Sequence, residues 1–141
     1  MKIDESTWNM MQNHLGYTKE EMTEFRNNPR NTQVLSRAPE LLKKTIIIEV
    51  VESQGCNSQH AVGDKFYFDG VGNLLTSLCP KKICIYALSA VKMLIFASNE
   101  LLYAGIDPNE MRFKRAGCFD VGVHCEGWGH IVMEISVVDR K

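Results

Sequence analysis

The sequence predicts an α+β fold: a small, mainly antiparallel sheet packed on one long apolar helix, with an N-terminal helical extension. Three observations lead there. Thr45 to Val51 reads Thr-Ile-Ile-Ile-Glu-Val-Val, a β-branched run that suits a buried strand. Ile83 to Ala104 is the most apolar stretch of the chain and has the length of a long helix. His130 to Val138 alternates, with Ile131, Met133, Ile135 and Val137 on one face of a strand.

The first 44 residues are polar and helical in pattern. Trp8, Met11 and Leu15 recur at helical spacing, and Gly16 supplies a stop. Thr18 with Glu21 forms a capping box for a second helix, whose apolar face is Met22 and Phe25. Asn28-Pro29 ends that helix, because proline disfavours a helical conformation in the residue before it. A third piece spans about Thr32 to Lys43, with a break or restart expected at Ala38-Pro39. The predicted organisation is therefore a helical extension over 1–44 and a cysteine-containing core over 45–141, together one structural domain.

Within the core, 53–60 reads as a polar loop. Phe66 and Phe68 alternate with polar neighbours in a short strand, and Asp69-Gly70 with Gly72-Asn73 makes a tight turn. The long helix is expected to begin after Pro80 and to stop at Gly105, with Pro108 beyond it. Its apolar residues lie almost all round, so cover on most sides is expected, from the sheet, the N-terminal helices or a second subunit. Arg112 to Arg115 is expected to be a further strand.

Composition narrows the function. The 141 residues carry 16 basic and 17 acidic side chains, a net charge of −1, with 45% hydrophobic residues. A chain that binds nucleic acid through its phosphates carries a positive excess, so nucleic acid is not an expected partner. Lys92 near the middle of the apolar stretch would cost about 2.5–3.5 kcal/mol at the centre of a bilayer, so a membrane span is not expected either. The five cysteines are an odd number, and Met1 to Glu5 lacks the apolar run of a signal peptide. A cytoplasmic location with reduced or metal-bound thiols follows as the expectation.

Two stretches carry candidate chemistry. In Leu78-Cys79-Pro80-Lys81-Lys82-Ile83-Cys84, a thiol beside the expected helix start and two lysines would have its thiolate favoured. Cys79 is thus a candidate nucleophile with Lys81 assisting, whereas Cys84, one turn inside the expected helix, reads as core. Lys82, Arg112 and Lys114 are candidates for holding an anionic ligand. In Gly117 to His130, Cys118, His124 and Cys125 stand among glycines, and sulfur with imidazole suits zinc or iron. Cys56, Cys79, Cys118, Cys125 and His124 form the candidate ligand set for zinc or an iron–sulfur cluster. The spacing matches no standard zinc finger, and a glycine-rich hairpin is the plainer reading. His60 reads as a loop residue. There is no phosphate loop, dinucleotide fingerprint or serine-hydrolase elbow.

The chain also resembles a family of small cysteine-containing proteins of anaerobic bacteria and archaea. The resemblance rests on Gly55-Cys56, Ala61-Val62-Gly63-Asp64-Lys65-Phe66, Phe68-Asp69-Gly70, Leu78-Cys79-Pro80, Tyr86-Ala87-Leu88 and Cys118, and covers 45–138. The helical extension, Cys125 and the lysines after Cys79-Pro80 depart from the pattern. The family has no established activity, so the resemblance implies attention to Cys56, Cys79 and Cys118 and an anaerobic source. Three functions stay open. One is a cysteine-ligated metal or iron–sulfur accessory protein of anaerobic metabolism. Another is an enzyme using an activated Cys79 thiol on a small anionic substrate. The third is a structural subunit of an oligomer, whose second copy or partner protein docks on the apolar helix and the N-terminal helices.

Overall fold

The computed structural model describes residues 2–140; Met1 and Lys141, the outer ends of the two expected segments, lie outside the described residues. The chain divides into two compact units, Met1–Glu40 and Leu41–Lys141.

The first unit is helical. Helix α1 (Glu5–Leu15) is capped by Asp4, whose carboxylate accepts from the Thr7 amide at 2.9 Å, and ends on Gly16 in the left-handed region. Thr18 and Glu21 form the expected capping box at the start of α2 (Lys19–Arg26). Trp8, Met22 and Leu35 form the small core of this unit, with Tyr17 and Phe25 packed against it. Arg26 lies 5.0 Å over the Trp8 ring and pairs with Glu5 at 2.7 Å. Helix α3 (Pro29–Leu41) runs three residues earlier than expected, and Pro39 does not break it. Pro39 removes one helical N–H, but only Glu40 and Leu41 follow it, so the helix ends within the same turn.

The second unit contains strands β1 (Lys44–Gln54), β2 (Lys65–Asp69), β3 (Arg115–Gly117) and β4 (His130–Asp139), which form an antiparallel sheet in the order β2-β1-β4-β3. Strand β1 is central and pairs with β2 and with β4. Ile46 faces Phe68 and Val137 across the sheet, and Ile48 faces Phe66 and Ile135. These side chains share one face and are buried, as the period-two pattern requires. Between Val50 and Glu52 the β1–β4 register shifts by a bulge. The Asp69–Asn73 turn is held by the Asp69 carboxylate, which accepts from the amides of Val71 and Asn73 at 3.1 and 2.9 Å.

Two expectations are corrected here. The long helix α4 (Ile85–Tyr103) begins at Ile85, with Cys84 as its N-cap. Residues 79–84 lie ahead of it in an irregular segment after a 3-10 turn (Thr76–Leu78). Cys79 therefore does not stand at the helix start, and Cys84 is not inside the helix. The cationic segment also shifts: β3 is Arg115–Gly117, and Arg112, Phe113 and Lys114 precede it. Pairing with β4 starts only at Arg115, opposite Glu134.

Helix α4 buries Ala87, Val91, Leu94 and Ser98, one stripe at helical spacing that joins the sheet's core. Ile85, Tyr86, Met93 and Phe96 are exposed, so the cover expected on most sides is confined to this stripe. By length and composition α4 could cross a membrane, at a mean hydropathy of 1.4. The core helix of a water-soluble domain meets the same test; 22% of the qualifying stretch of α4 is buried, as the stripe that joins the sheet's core.

Candidate functional site

The end of β1, the start of α4 and the loop between β3 and β4 meet around a cleft of about 220 Å³. Cys56, Cys84 and Cys118 line it, together with His60, His130 and Asp120. Three of the five cysteines and two of the four histidines thus come from four separate stretches of chain to one place.

Cys84 is brought there by helix geometry. Its backbone is extended, its carbonyl accepts the first helical bond from Leu88 at 3.1 Å, and its amide donates to His60 Nε2 at 3.2 Å. Burial pushes the thiol up, but the Ala87 amide, the Ser58 hydroxyl and the Tyr86 amide outweigh it and hold Cys84 below the usual thiol range. No capping hydrogen bond of ordinary geometry reaches the sulfur. The donors act on it as the positive end of a 19-residue helix.

His60 is buried beside this helix start, its ring edge-on to Phe66 with centroids 5.2 Å apart. Because Nε2 accepts from the Cys84 amide, the proton of the neutral ring sits on Nδ1, which faces Asp64 Oδ2 at 4.0 Å. Burial lowers its basicity; Asp64 opposes and Lys82 adds to the effect. A neutral His60 is what the Cys84 amide needs.

The other wall is the loop from Cys118 to Gly129. Asp120 organises it: its carboxylate accepts from the amides of Gly122, Trp128 and Gly129 at 3.0, 2.9 and 2.9 Å. The Gly129, Gly122 and Trp128 amides together hold that carboxyl below the usual range. Cys118 Sγ accepts from the Ile131 amide at 3.4 Å and lies 3.6 Å from His130 Nδ1. The same Nδ1 contacts the Asp120 carbonyl oxygen, which sets its proton on that nitrogen. Gly129 lies against Gly55 and Cys56 so closely that a Cβ would collide with the Gly55 carbonyl. Backbone contact thereby ties the Cys56 loop to the Cys118 loop.

Of the residues singled out in the sequence, Cys56 and Cys118 line the cleft and the others do not. Cys79 accepts from the Tyr67 amide at 3.3 Å and sits 3.3 Å from the Leu75 carbonyl, a tie between β2 and the 3-10 turn. Lys81 and Lys82 are exposed ahead of the helix. Arg112 stacks 4.2 Å over Phe113, and Lys114 gives its carbonyl to the Ile135 amide. His124 and Cys125 are exposed in a 3-10 turn (Val123–Cys125) rather than in extended chain. Among the described residues, no group of three or more histidine, cysteine, aspartate or glutamate side chains stands ready to hold a metal ion.

Sequence reasoning named Cys84 only as core and His60 only as a loop residue, and it noted Asp120 and His130 within the stretch 117–130 without giving either a role. Asp120 had a legible signal: an aspartate followed by glycines at 122 and 127 suits a loop closed by side-chain-to-backbone bonds. Cys84 had none, because Pro80 is as good a helix opener as the true start. No protein-family model, curated protein or solved structure matches this chain.

Proposed function

We propose that this is a thiol-dependent enzyme in which the Cys84 thiolate attacks a small electrophilic substrate held in the cleft. The observation that carries this reading is the Cys84 sulfur at the α4 N-terminus, opening onto a cleft where two further thiols and two imidazoles converge. A helix N-terminus favours the charged nucleophile, and the cleft supplies the concave, mostly apolar surroundings that bind small molecules. Cys118, Cys56 and His130 line the same cleft. The nucleophile moves from Cys79 to Cys84, since Cys79 is committed to backbone partners.

Site-resolved alkylation against pH tests the reading. Cys84 is expected to reach half-maximal rate below the pH of about 8.5 at which an ordinary thiol does, and Cys84→Ser to remove the fast-reacting thiol. A Cys84 that titrates as an ordinary thiol overturns it.

A second reading is favoured by one contact, the Cys118 sulfur beside the His130 imidazole: a soft-metal accessory protein, with Cys56, Cys118 and His130 closing on zinc or iron. Elemental analysis and the absorbance spectrum of anaerobically purified protein decide this. Near-stoichiometric metal lost in Cys118→Ser supports it, and metal retained in that variant sinks it.

A further inference from the structure

We infer that the substrate of the Cys84 cleft is an uncharged molecule with a planar apolar body, held between Tyr86, Trp128 and Phe119; this rests on the thiolate reading above. A second hollow of about 400 Å³ adjoins the cleft, and the two share Tyr86, Asp120 and Trp128. A molecule with its reactive end at Cys84 can place its body there.

That hollow is walled by aromatic rings left open to solvent. Phe119 is 82% exposed, Trp128 74% and Tyr86 59%, and Val121 continues the apolar surface. The Tyr86 and Phe119 rings stand 6.0 Å apart, inclined by 31°, and both leave aromatic surface onto which a further flat ring can stack. Tyr86 belongs to the first turn of α4, two residues after Cys84, so one helix end presents both the nucleophile and a stacking surface.

The charges point away from an anionic substrate. Among the described residues, no lysine or arginine lines either hollow, and the ionic side chains there are Asp120 and Glu126. Asp120 has spent its carboxylate oxygens on three backbone amides and offers a substrate little. Lys82, Arg112 and Lys114, the residues an anion would need, are not among the lining residues. Glu126 offers a single carboxylate at the outer hollow, whereas three rings and Val121 make its walls mainly apolar, and a neutral flat body matches them.

The test uses the full-length reduced protein and maleimides that differ only in their nitrogen substituent: phenyl, methyl, carboxymethyl and trimethylammonioethyl. In each reaction the thiolate sulfur bonds to one alkene carbon, the π pair moves to the other as an enolate, and water protonates it. No leaving group or oxidant is involved. Rates are read by peptide mass spectrometry at Cys84, with exposed Cys125 as internal reference.

The phenyl reagent is expected to exceed the methyl reagent at Cys84 by roughly five- to tenfold, the worth of one stacking contact, and by much less at Cys125. The carboxymethyl reagent is expected to be slowest at Cys84. Trp128→Ala and Phe119→Ala, substitutions of exposed rings, are expected to bring the phenyl preference at Cys84 down to that at Cys125. Equal preference at both cysteines overturns the inference, and so does a fastest reaction with the carboxymethyl or the cationic reagent. Exclusion of every reagent in a chain that runs as a dimer also overturns it, since the rings are then an interface between copies. Protection distinguishes this failure from failure of the thiolate reading. N-Phenylsuccinimide, which cannot react, is expected to slow methylmaleimide at Cys84 while N-methylsuccinimide does not, whatever the thiolate's intrinsic rate. Absence of that protection ends the inference even where Cys84 proves highly reactive.

Discussion

At the scale of single residues, the Cys84 thiol is held below its usual range by donors near it, two from its own helix and one from Ser58. Two of the three are backbone amides that no side-chain substitution removes. Ser58→Ala is therefore expected to raise the pH of half-maximal Cys84 alkylation only slightly, leaving it below the ordinary thiol value of about 8.5. A rise all the way to that value would show that the helix amides contribute nothing. His60 acts on the same helix start from behind, through the bond its Nε2 accepts from the Cys84 amide. His60→Ala leaves that amide without its acceptor and is expected to cost about 1–3 kcal/mol. Urea unfolding measures the loss, and the Cys84 rate should fall in the same variant.

At the scale of elements, the loop between β3 and β4 is held by Asp120 and by glycines that allow close backbone approach. Gly129→Ala is expected to destabilise the protein by about 3 kcal/mol, the upper part of the overpacking range, because the obstacle is the rigid Gly55–Cys56 backbone. A thermal midpoint unchanged in that variant would disprove the close contact. The sheet was legible because its signal is local. Ile131, Met133, Ile135 and Val137 alternate, and all four are buried on one face. The capping box at Thr18 and Glu21 was legible for the same reason. The cleft was not, since Cys56, Cys84 and Cys118 meet only through strand pairing and helix placement. The start of α4 misled for a definite cause: Pro80 and the lysines after it imitate a helix opening, while the Cys84–His60 bond that marks the true one joins residues 24 apart in sequence.

At the scale of the molecule, stability is expected to fall in acid in two stages. His60 has a folded-state pKa lowered by burial, so the unfolded chain takes its proton first, near pH 6.5. Its contribution is complete above about that pH and is lost as pH falls through the lower folded value. The carboxyls of Asp120 and Asp139 are also lowered, the first by backbone amides and the second by Lys44. Their contribution stands above about pH 4 and is lost further down, as pH passes through their folded values. The urea midpoint against pH should show both stages. His60→Gln should erase the upper one and Asp120→Asn weaken the lower. A single stage unaffected by His60→Gln would refute this assignment. The exposed Ile85, Met93 and Phe96 of α4 add an expectation of concentration-dependent self-association, read by light scattering and reduced in Phe96→Lys.

The β1–β4 ladder closes at Gln54 opposite His130, and the cleft is built on that last rung. Residues more than seventy positions apart must be paired before Cys56 and Cys118 can face one another. Long-range pairings of this kind form late, because the loop entropy is spent before the contact is gained. The cleft around Cys84 is therefore complete only once the ladder has closed. Brief exposure to a maleimide at successive times after dilution from urea would turn this one sulfur into a stopwatch for the final step of folding.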